Sequence, residues 1–321
     1  MFYTHSTLDR ADHLRKDELK IQALRQQPDA QLVPLWHCQS LVTSPSSNIA
    51  PQAVVLPHDH VLPEDAQSIF LGLQDNRPLF AIDVSSLDEQ QRDTLAQQGI
   101  ARDGTPLAGE FADLRTAGPT LPGADGSLLA YARGLMYWHS ITHFCVNCGQ
   151  ALVSTNAGHS RECSNDNCSH IDFPRTDPAV IMLVSYSPTD GSEPKCLLGR
   201  AASWPEGVFS TLAGFVETGE SLENAVRREV MEESSIRVSD VHYVASQPWP
   251  FPRSIMLGFE ATATSTEISI DPVELADAQW FTRSQLAGFG SWGDDGDNYK
   301  LPRKDSIARF LIERWIKEGA L

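Results

Sequence analysis

Residues 214–236 read GFVETGESLENAVRREVMEESSI. The stretch joins a glycine-bearing loop to a helix dense in carboxylates. Glu229, Glu232 and Glu233 stand at i, i+3 and i+4, positions that share one face of an α-helix. Three like charges there oppose helix formation unless cations offset them. Hard carboxylate oxygens suit Mg2+ or Mn2+, which bind through carboxylates together with substrate phosphate oxygens. Taken alone, the triplet reads as a solvated acidic face. Gly214, Gly219 and Glu220, at fixed distances before it, tip the reading toward a metal site.

The chain has 321 residues, enough for about two domains. Hydrophobic residues make up 41%, ordinary for a globular protein. No apolar run reaches the roughly 18 residues of a membrane helix, so no membrane partner is expected. The start, MFYTHSTLDRADHLRKDELK, lacks the apolar core of a secretory signal, and the final KEGAL carries no lipidation or peroxisomal signal. The cytoplasm is the expected location. A formal net charge of −17 repels nucleic acid and anionic membrane at long range. It leaves room for a nucleotide substrate, because a bound cation inverts the local field.

Residues 9–27 read as a polar helix. Apolar runs at 32–36, 53–56, 69–73 and 79–84 read as strands, the last two forming a hairpin about QDNRP. Residues 87–98 and 127–141 have helical spacing, with a Pro/Gly-rich connection at 114–126 between them. DFPRTDP (172–178) is a stiff linker. Strands are expected at 179–185, 196–199, 208–212, 241–247, 255–264 and 278–281, and helices at 221–234 and 307–316. Residues 290–298, GSWGDDGDN, read as a flexible loop, and no internal repeat is visible.

Cys145 and Cys148 form one close pair, and Cys163 and Cys168 another, fourteen residues on. This is the spacing of a structural Zn2+ site, two knuckles closing a tetrahedron of thiolates. Four protein ligands leave no open position, so one such zinc per chain stabilises the fold and does no chemistry. Two disulfides or free thiols are the alternatives. His143, His159 and His170 are nearby and read as surface histidines. Cys38 and Cys196 have no partner at metal spacing and read as apolar fillers.

The loop–helix stretch resembles the Nudix box, G-x5-E-x7-R-E-U-x-E-E-x-G-U with U aliphatic. Gly214, Glu220, Arg228, Glu229, Val230, Glu232, Glu233 and Ile236 match; Ser235 stands where the family has glycine. That glycine ends the helix, where positive φ is common, so serine there costs about 1 kcal/mol or less. A second stretch, Ser246-Gln247-Pro248-Trp249-Pro250-Phe251-Pro252-x-Ser254, resembles the SQPWPFPxS motif of the NADH pyrophosphatase branch, which carries a zinc ribbon before the box. DFPRTDPAV and the late DSIARFLI fit that branch too; the match covers about residues 127–321.

The resemblance implies an α+β protein: an α/β/α Nudix sandwich with a mixed β-sheet at 176–321, a four-cysteine zinc ribbon at 141–175, and an α+β domain at 1–140. It implies that Phe215 and Trp249 line the dinucleotide pocket and that Phe173 and Ala308 neighbour the substrate, with Arg115 as a further contact. Physically, PWPFP offers two aromatic faces on a stiffened loop, able to stack a flat base with little ordering cost. The alternative is a core-packing loop between strands. Glu274, in DPVELADAQWF, and the Ala213 carbonyl are implied as metal ligands beside Glu229 and Glu233, with Glu232 assisting. Arg228 and Glu220 read as a structural pair shaping the loop.

The expected reaction is Mg2+- or Mn2+-dependent hydrolysis of the diphosphate of NADH, or of NAD+ and related dinucleotides, to nicotinamide mononucleotide and AMP. Glu233 or Glu274 serves as the general base. Rival readings are removal of an NAD cap from RNA 5′ ends, hydrolysis of ADP-ribose or another nucleoside diphosphate derivative, and a zinc-ribbon scaffold with an inactive box. The complete carboxylate set argues against the last. The branch tends to form homodimers.

Overall fold

The computed structural model describes residues 1–44, 49–296 and 299–318. Residues 297–298 of the GSWGDDGDN loop and the last three of KEGAL are outside that set. The described chain divides into two compact units. The first holds Phe2–Thr176 and Trp249–Arg253; the second holds Met1, Asp177–Pro248 and the chain from Ser254 onward. The cysteine segment and residues 249–253 therefore pack with the amino-terminal unit.

In the amino-terminal unit, α1 is Glu18–Arg25, capped by Asp17, whose side chain accepts from the Lys20 N–H. It is shorter than the helix expected over 9–27, because Ala11 takes a left-handed conformation (φ 41°) and only a 3-10 turn, Asp12–Leu14, precedes the cap. Six strands follow: β1 Gln31–Trp36, β2 Gln39–Val42, β3 Leu56–Pro57, β4 Ser68–Gln74, β5 Arg77–Asp83 and β6 Glu110–Ala112. The expected β4–β5 hairpin forms, with Asp75 and Asn76 at positive φ (53° and 64°) in its two-residue turn. Helix α2, Glu89–Ala96, starts from an Asp88/Gln91 capping box. The 114–126 connection is more ordered than its composition suggests. Asp113 caps a single-turn helix, α3 (Leu114–Ala117), and α4 already begins at Gly123 and runs to Ile141. A three-stranded antiparallel ribbon carries the cysteines: β7 Leu152–Thr155, β8 Ser160–Cys163 and β9 Ile171–Asp172.

The second unit contains β10 Asp177–Tyr186, β11 Lys195–Ala201, β12 Leu212–Phe215, α5 Leu222–Ser234, β13 Val238–Trp249, β14 Ser254–Ala263, β15 Leu275–Thr282, α6 Arg283–Leu286, β16 Gly290–Ser291, β17 Lys300–Leu301 and α7 Ile307–Glu318. The strand expected over 208–212 is displaced. Val208 and Ser210 make only isolated bridges, to Lys300 and Gly199, and the ladder to β10 begins at Leu212. The sheet order is β13-β14-β10-β11-β15, with β12 paired to β10. Two apolar layers flank it. Val180, Met182 and Val184 pack with Ala225, Val226 and Val230 of α5, while Ile181 and Leu183 pack with Leu311 and Ile312 of α7. This alternation along β10 follows the two-residue period of a strand.

A repeat is present that residue identities do not reveal. The amino-terminal sheet has the order β4-β5-β1-β2-β6, with β3 paired to β1. Each pairing has its counterpart in the second unit: β1 and β10 pair parallel with β5 and β14, and antiparallel with β2 and β11 and with β3 and β12. A single-turn helix follows the last sheet strand in each case, α3 or α6, and a longer helix, α4 or α7, comes after it. Helix α2, between β5 and β6, has no counterpart between β14 and β15, and a second difference lies between the third and fourth strands. The second unit places α5 there; the first has residues 58–67 with no helix. Strand pairing repeats without sequence repeating because the sheet asks only for apolar alternation.

The ribbon is tied to α4 by a buried polar cluster. His139 is 1% exposed; its Nδ1 accepts from Arg161 Nε at 3.1 Å, and its Nε2 lies 2.7 Å from the Gly158 carbonyl. The Arg161 guanidinium also donates to the Thr142 carbonyl. His159 is half-buried against the Phe70 carbonyl at 2.7 Å, a packed residue where a surface one was expected. Burial above all pushes both imidazoles down to about 4. Because the folded values lie below the unfolded ones, the unfolded chain binds more protons between pH 6.5 and 4. Stability therefore falls as pH drops through that window, by on the order of 3 kcal/mol for His139. Melting curves should show it: His139→Gln should melt lower than wild type at pH 7 yet lose less between pH 6.5 and 4.5. Parallel pH profiles for the two proteins would contradict this account.

Candidate active site and cysteine cluster

Helix α5 begins at Ser221, whose hydroxyl accepts from the Asn224 N–H at 3.3 Å. Its apolar stripe, Ala225, Val226 and Val230, faces the sheet. Glu229 and Glu233 flank that stripe and are carried inward with it, to 8% and 7% exposure, whereas the Glu232 side chain stays 56% exposed. The shared acidic face is thus split: two carboxylates are buried and one remains at the rim. The helix ends at Ser235, which adopts the left-handed conformation (φ 60°, ψ 15°). The Ser235 N–H bonds the Met231 carbonyl and its hydroxyl bonds the Ser269 carbonyl, so serine closes the helix where glycine was expected.

Arg228 organises the loop. Its guanidinium makes five hydrogen bonds: two to Glu220 (2.9 and 3.0 Å) and one each to Glu229 Oε1, Glu232 Oε2 and the Phe215 carbonyl, all 2.9 Å. Glu220 in turn accepts from the Glu217 N–H at 3.1 Å, fixing the turn that contains Gly219 at φ 83°. The hydrogen bonds from Arg228 hold the Glu220 carboxyl below its usual range, and those of Glu220 first, then Glu232 and Glu229, push the guanidinium up.

Glu233 is left out of this network. Its Oε2 is buried with no hydrogen-bond partner among the described residues. Burial first, then the charges of Glu229, Glu274 and Glu232, push its carboxyl up to about 8. Burial also raises Glu229, against the lowering effect of Arg228. Gly214, on β12, provides the cradle: a Cβ there would lie 1.9 Å from Glu229 Cδ. The backbone N–H groups of Ser269 and Asp271 bond the last carbonyls of α5, and the Asp271 carbonyl then accepts from Glu274 N–H at 3.2 Å. This turn brings the exposed Glu274 within electrostatic reach of Glu233. Ala213 sits opposite Ile181 in the β12–β10 ladder. A buried unpaired carboxylate oxygen, a glycine cradle and neighbouring like charges fit a divalent cation, which would reverse the penalty on charging Glu233. The glutamates are not gathered as tightly as metal ligands would be, because Arg228 draws Glu229 and Glu232 onto itself.

The cysteines are so gathered. Among the described residues, Cys145, Cys148, Cys163 and Cys168 are the one group of potential ligands placed to hold a metal as they stand, with all four sulfurs within 4.8 Å of one another. The Sγ–Sγ separations are 3.8 Å for Cys145–Cys168 and 3.3 Å for Cys148–Cys163, too long for disulfides. They suit a tetrahedron with Zn–S bonds of about 2.3 Å, whose edges are about 3.8 Å. Around them Phe144, Val146, Val153 and Ile171 are exposed, so the ribbon has little apolar core of its own.

The expected substrate residues separate into exposed and buried sets. Phe173 (58%) and Phe215 (61%) present open rings, Phe173 in the amino-terminal unit and Phe215 in the second. Arg115, Pro248 and Pro252 are exposed, and Trp249 and Ser254 are half-buried. Four others are buried. Gln247 is fully buried and its amide is spent within the fold, donating to the Asp305 carbonyl and accepting from the Ile307 N–H, both at 2.8 Å. Ala308 (4% exposed) is in the core beneath α7. Pro250 is buried, and Phe251 (6%) belongs to the amino-terminal core, so only Trp249 of the two aromatics keeps an accessible surface. Arg133, which no motif singles out, donates to the Pro250 carbonyl across 117 residues of sequence.

Two family models match the chain. A Nudix domain matches residues 176–301, and an NADH pyrophosphatase-like rudimentary Nudix domain matches residues 29–138. The human NAD-capped RNA hydrolase NUDT12 is 44% identical over 199 residues, covering 60% of this chain and 42% of that protein. The NAD-capped RNA hydrolase NudC of Mycobacterium bovis is 42% identical over 225 residues, covering 68% of this chain and 69% of that protein. The chain thus spans less than half the length of the human relative it matches.

Cys145→Ser should lose bound zinc, read by metal analysis of the purified protein, and should lower the melting temperature by several degrees; full zinc content with unchanged melting would contradict a structural metal. Gly214→Ala should lower the melting temperature, because the added methyl displaces the buried Glu229 carboxylate from its bond to Arg228. It should weaken Mn2+ binding by tenfold or more in titration calorimetry, and wild-type Mn2+ affinity would contradict the cradle.

Proposed function

The chain belongs to the Nudix family, in its NADH pyrophosphatase-like branch, and on that premise we propose that it hydrolyses the diphosphate bond of NADH, or of NAD+ and related dinucleotides, to nicotinamide mononucleotide and AMP. The observation that carries the reading is Glu233, buried and unpaired beside Glu229 at the Gly214 cradle. Among the described residues none hydrogen-bonds that oxygen, and leaving it unpaired costs about 1–3 kcal/mol or more, which a ligand would offset.

In this reading Glu229, Glu233 and Glu274, with the Ala213 carbonyl, hold Mg2+ or Mn2+, and Glu232 assists from the rim. When bound, the cation supplies charge neutralisation at the diphosphate oxygens. Arg228 keeps the loop between β12 and α5 in one conformation and holds Glu229 through its Oε1. Water adds across the phosphoanhydride, so each product keeps one phosphate. Its proton passes to a carboxylate; Glu274, exposed yet coupled to Glu233, suits that step better than the buried Glu233. Phe215 and Trp249 offer ring surface to the bases, with Phe173 and Arg115 as further contacts. The four cysteines hold Zn2+ as a structural element of the ribbon. The division into an amino-terminal domain (1–140), a ribbon (141–175) and a hydrolase domain (176–321) belongs to the same reading, as does a homodimeric state.

The names of both relatives favour a second substrate, NAD-capped RNA, in which the same bond is cut at a 5′ end. A net charge of −17 provides no broad phosphate-binding surface, so the contact would be confined to the cap. Glu233→Gln should lower turnover of NADH by orders of magnitude, with circular dichroism and melting close to wild type. Wild-type turnover would overturn the assignment of α5. Assays on NADH, ADP-ribose and NAD-capped RNA, each with and without Mg2+ or Mn2+, rank the substrates.

A further inference from the structure

We propose that Arg133, on α4, is a positioning residue that sets the orientation of Trp249, with Arg115 in a supporting role. The inference rests on the reading of the 249–253 segment as a substrate contact. That segment, Trp249-Pro250-Phe251-Pro252-Arg253, packs in the amino-terminal unit. Trp249 ends β13, and Pro250 and Pro252 have no N–H, so the strand ladder does not continue through the segment. One internal bond, from Phe251 N–H to the Trp249 carbonyl at 2.7 Å, closes a tight turn.

The segment is held instead through its carbonyls. The Arg133 guanidinium donates to the Pro250 carbonyl, and Arg115 Nη2 donates to the Phe251 carbonyl at 3.3 Å. Both guanidinium carbons also stand 5.0 Å from the centroid of the Phe251 ring, within cation–π range. Phe251 is thereby fixed in the core, edge-on to Tyr3 at 6.1 Å. Trp249 meets Phe251 edge-on at 5.2 Å and 81°, so the indole takes its orientation from a ring that the arginines orient.

Arg133 carries the larger share because of where it sits. Helix α4 has 19 residues, is buried along one face, and is locked near its end by the His139–Arg161 contact. Arg115 stands on the single-turn α3 and is exposed. Arg133 touches no substrate in this account; it acts through Phe251 and Trp249. Its loss should therefore weaken binding of the base while the carboxylates of α5 continue to work.

The test is steady-state kinetics on the full chain with NADH and Mn2+. Arg133→Met should raise KM about tenfold with kcat within about twofold. Arg133→Lys, which retains a charged donor but not the flat guanidinium, should raise KM about threefold. A purely structural residue would instead lower melting temperature and active fraction, leaving the KM of the surviving enzyme unchanged. Trp249→Ala is the control. If it raises KM while both Arg133 variants leave KM within twofold of wild type, the positioning role is overturned. If Trp249→Ala itself leaves KM unchanged, the reading of the segment as a substrate contact fails instead. Should Arg133→Met not fold, by circular dichroism, the lysine variant decides, and an unchanged KM there overturns the proposal.

Discussion

One guanidinium among several carboxylates governs the second unit. Arg228 satisfies Glu220 twice, Glu229 and Glu232 once each, and the Phe215 carbonyl. This lets a helix with three glutamates in five positions pack against a sheet, because most of the repulsion is cancelled locally. The cancellation is incomplete by one group. Glu233 faces inward on the same stripe as Val226 and Val230, out of reach of Arg228, and retains an unpaired oxygen. The residual frustration sits where a dication would relieve it, which is how strain is commonly distributed between scaffold and site.

The amino-terminal unit shows the same economy with different chemistry. Its polar interior is concentrated in His139, Arg161 and the arginines around Phe251, and α4 joins these sites. At one end the helix receives the cysteine ribbon through Arg161; in its middle it grips the 249–253 turn through Arg133. Cys163 lies on β8 two residues from Arg161, so the cysteine cluster and the contact to the end of α4 share one strand.

Much of this was readable from residues alone, and what escaped has identifiable causes. The box fixed α5 to within one residue, since an N-cap serine, a helical stripe and a closing Ser235 are all local signals. The cysteine spacing was equally local. The QDNRP hairpin was legible because Asp75 and Asn76 tolerate positive φ. Burial of Gln247, Phe251 and Ala308 was not legible, because each depends on partners distant in sequence: Asp305 and Ile307 for the amide, Arg115 and Arg133 for the ring, the α7 core for the alanine. A motif marks which positions matter together without saying whether a side chain meets ligand or protein. The duplicated sheet was invisible for a related reason: pairing order is a property of topology, and it leaves no constraint on residue identity beyond polarity.

That duplication has a consequence for how chemistry is installed on this architecture. The six-stranded arrangement of the amino-terminal unit has residues 58–67, without a helix, where the second unit has the acidic helix. The scaffold therefore tolerates either occupant at that crossover. A reactive element grafted onto a self-sufficient frame is free to diverge, or to be deleted, without dismantling what carries it.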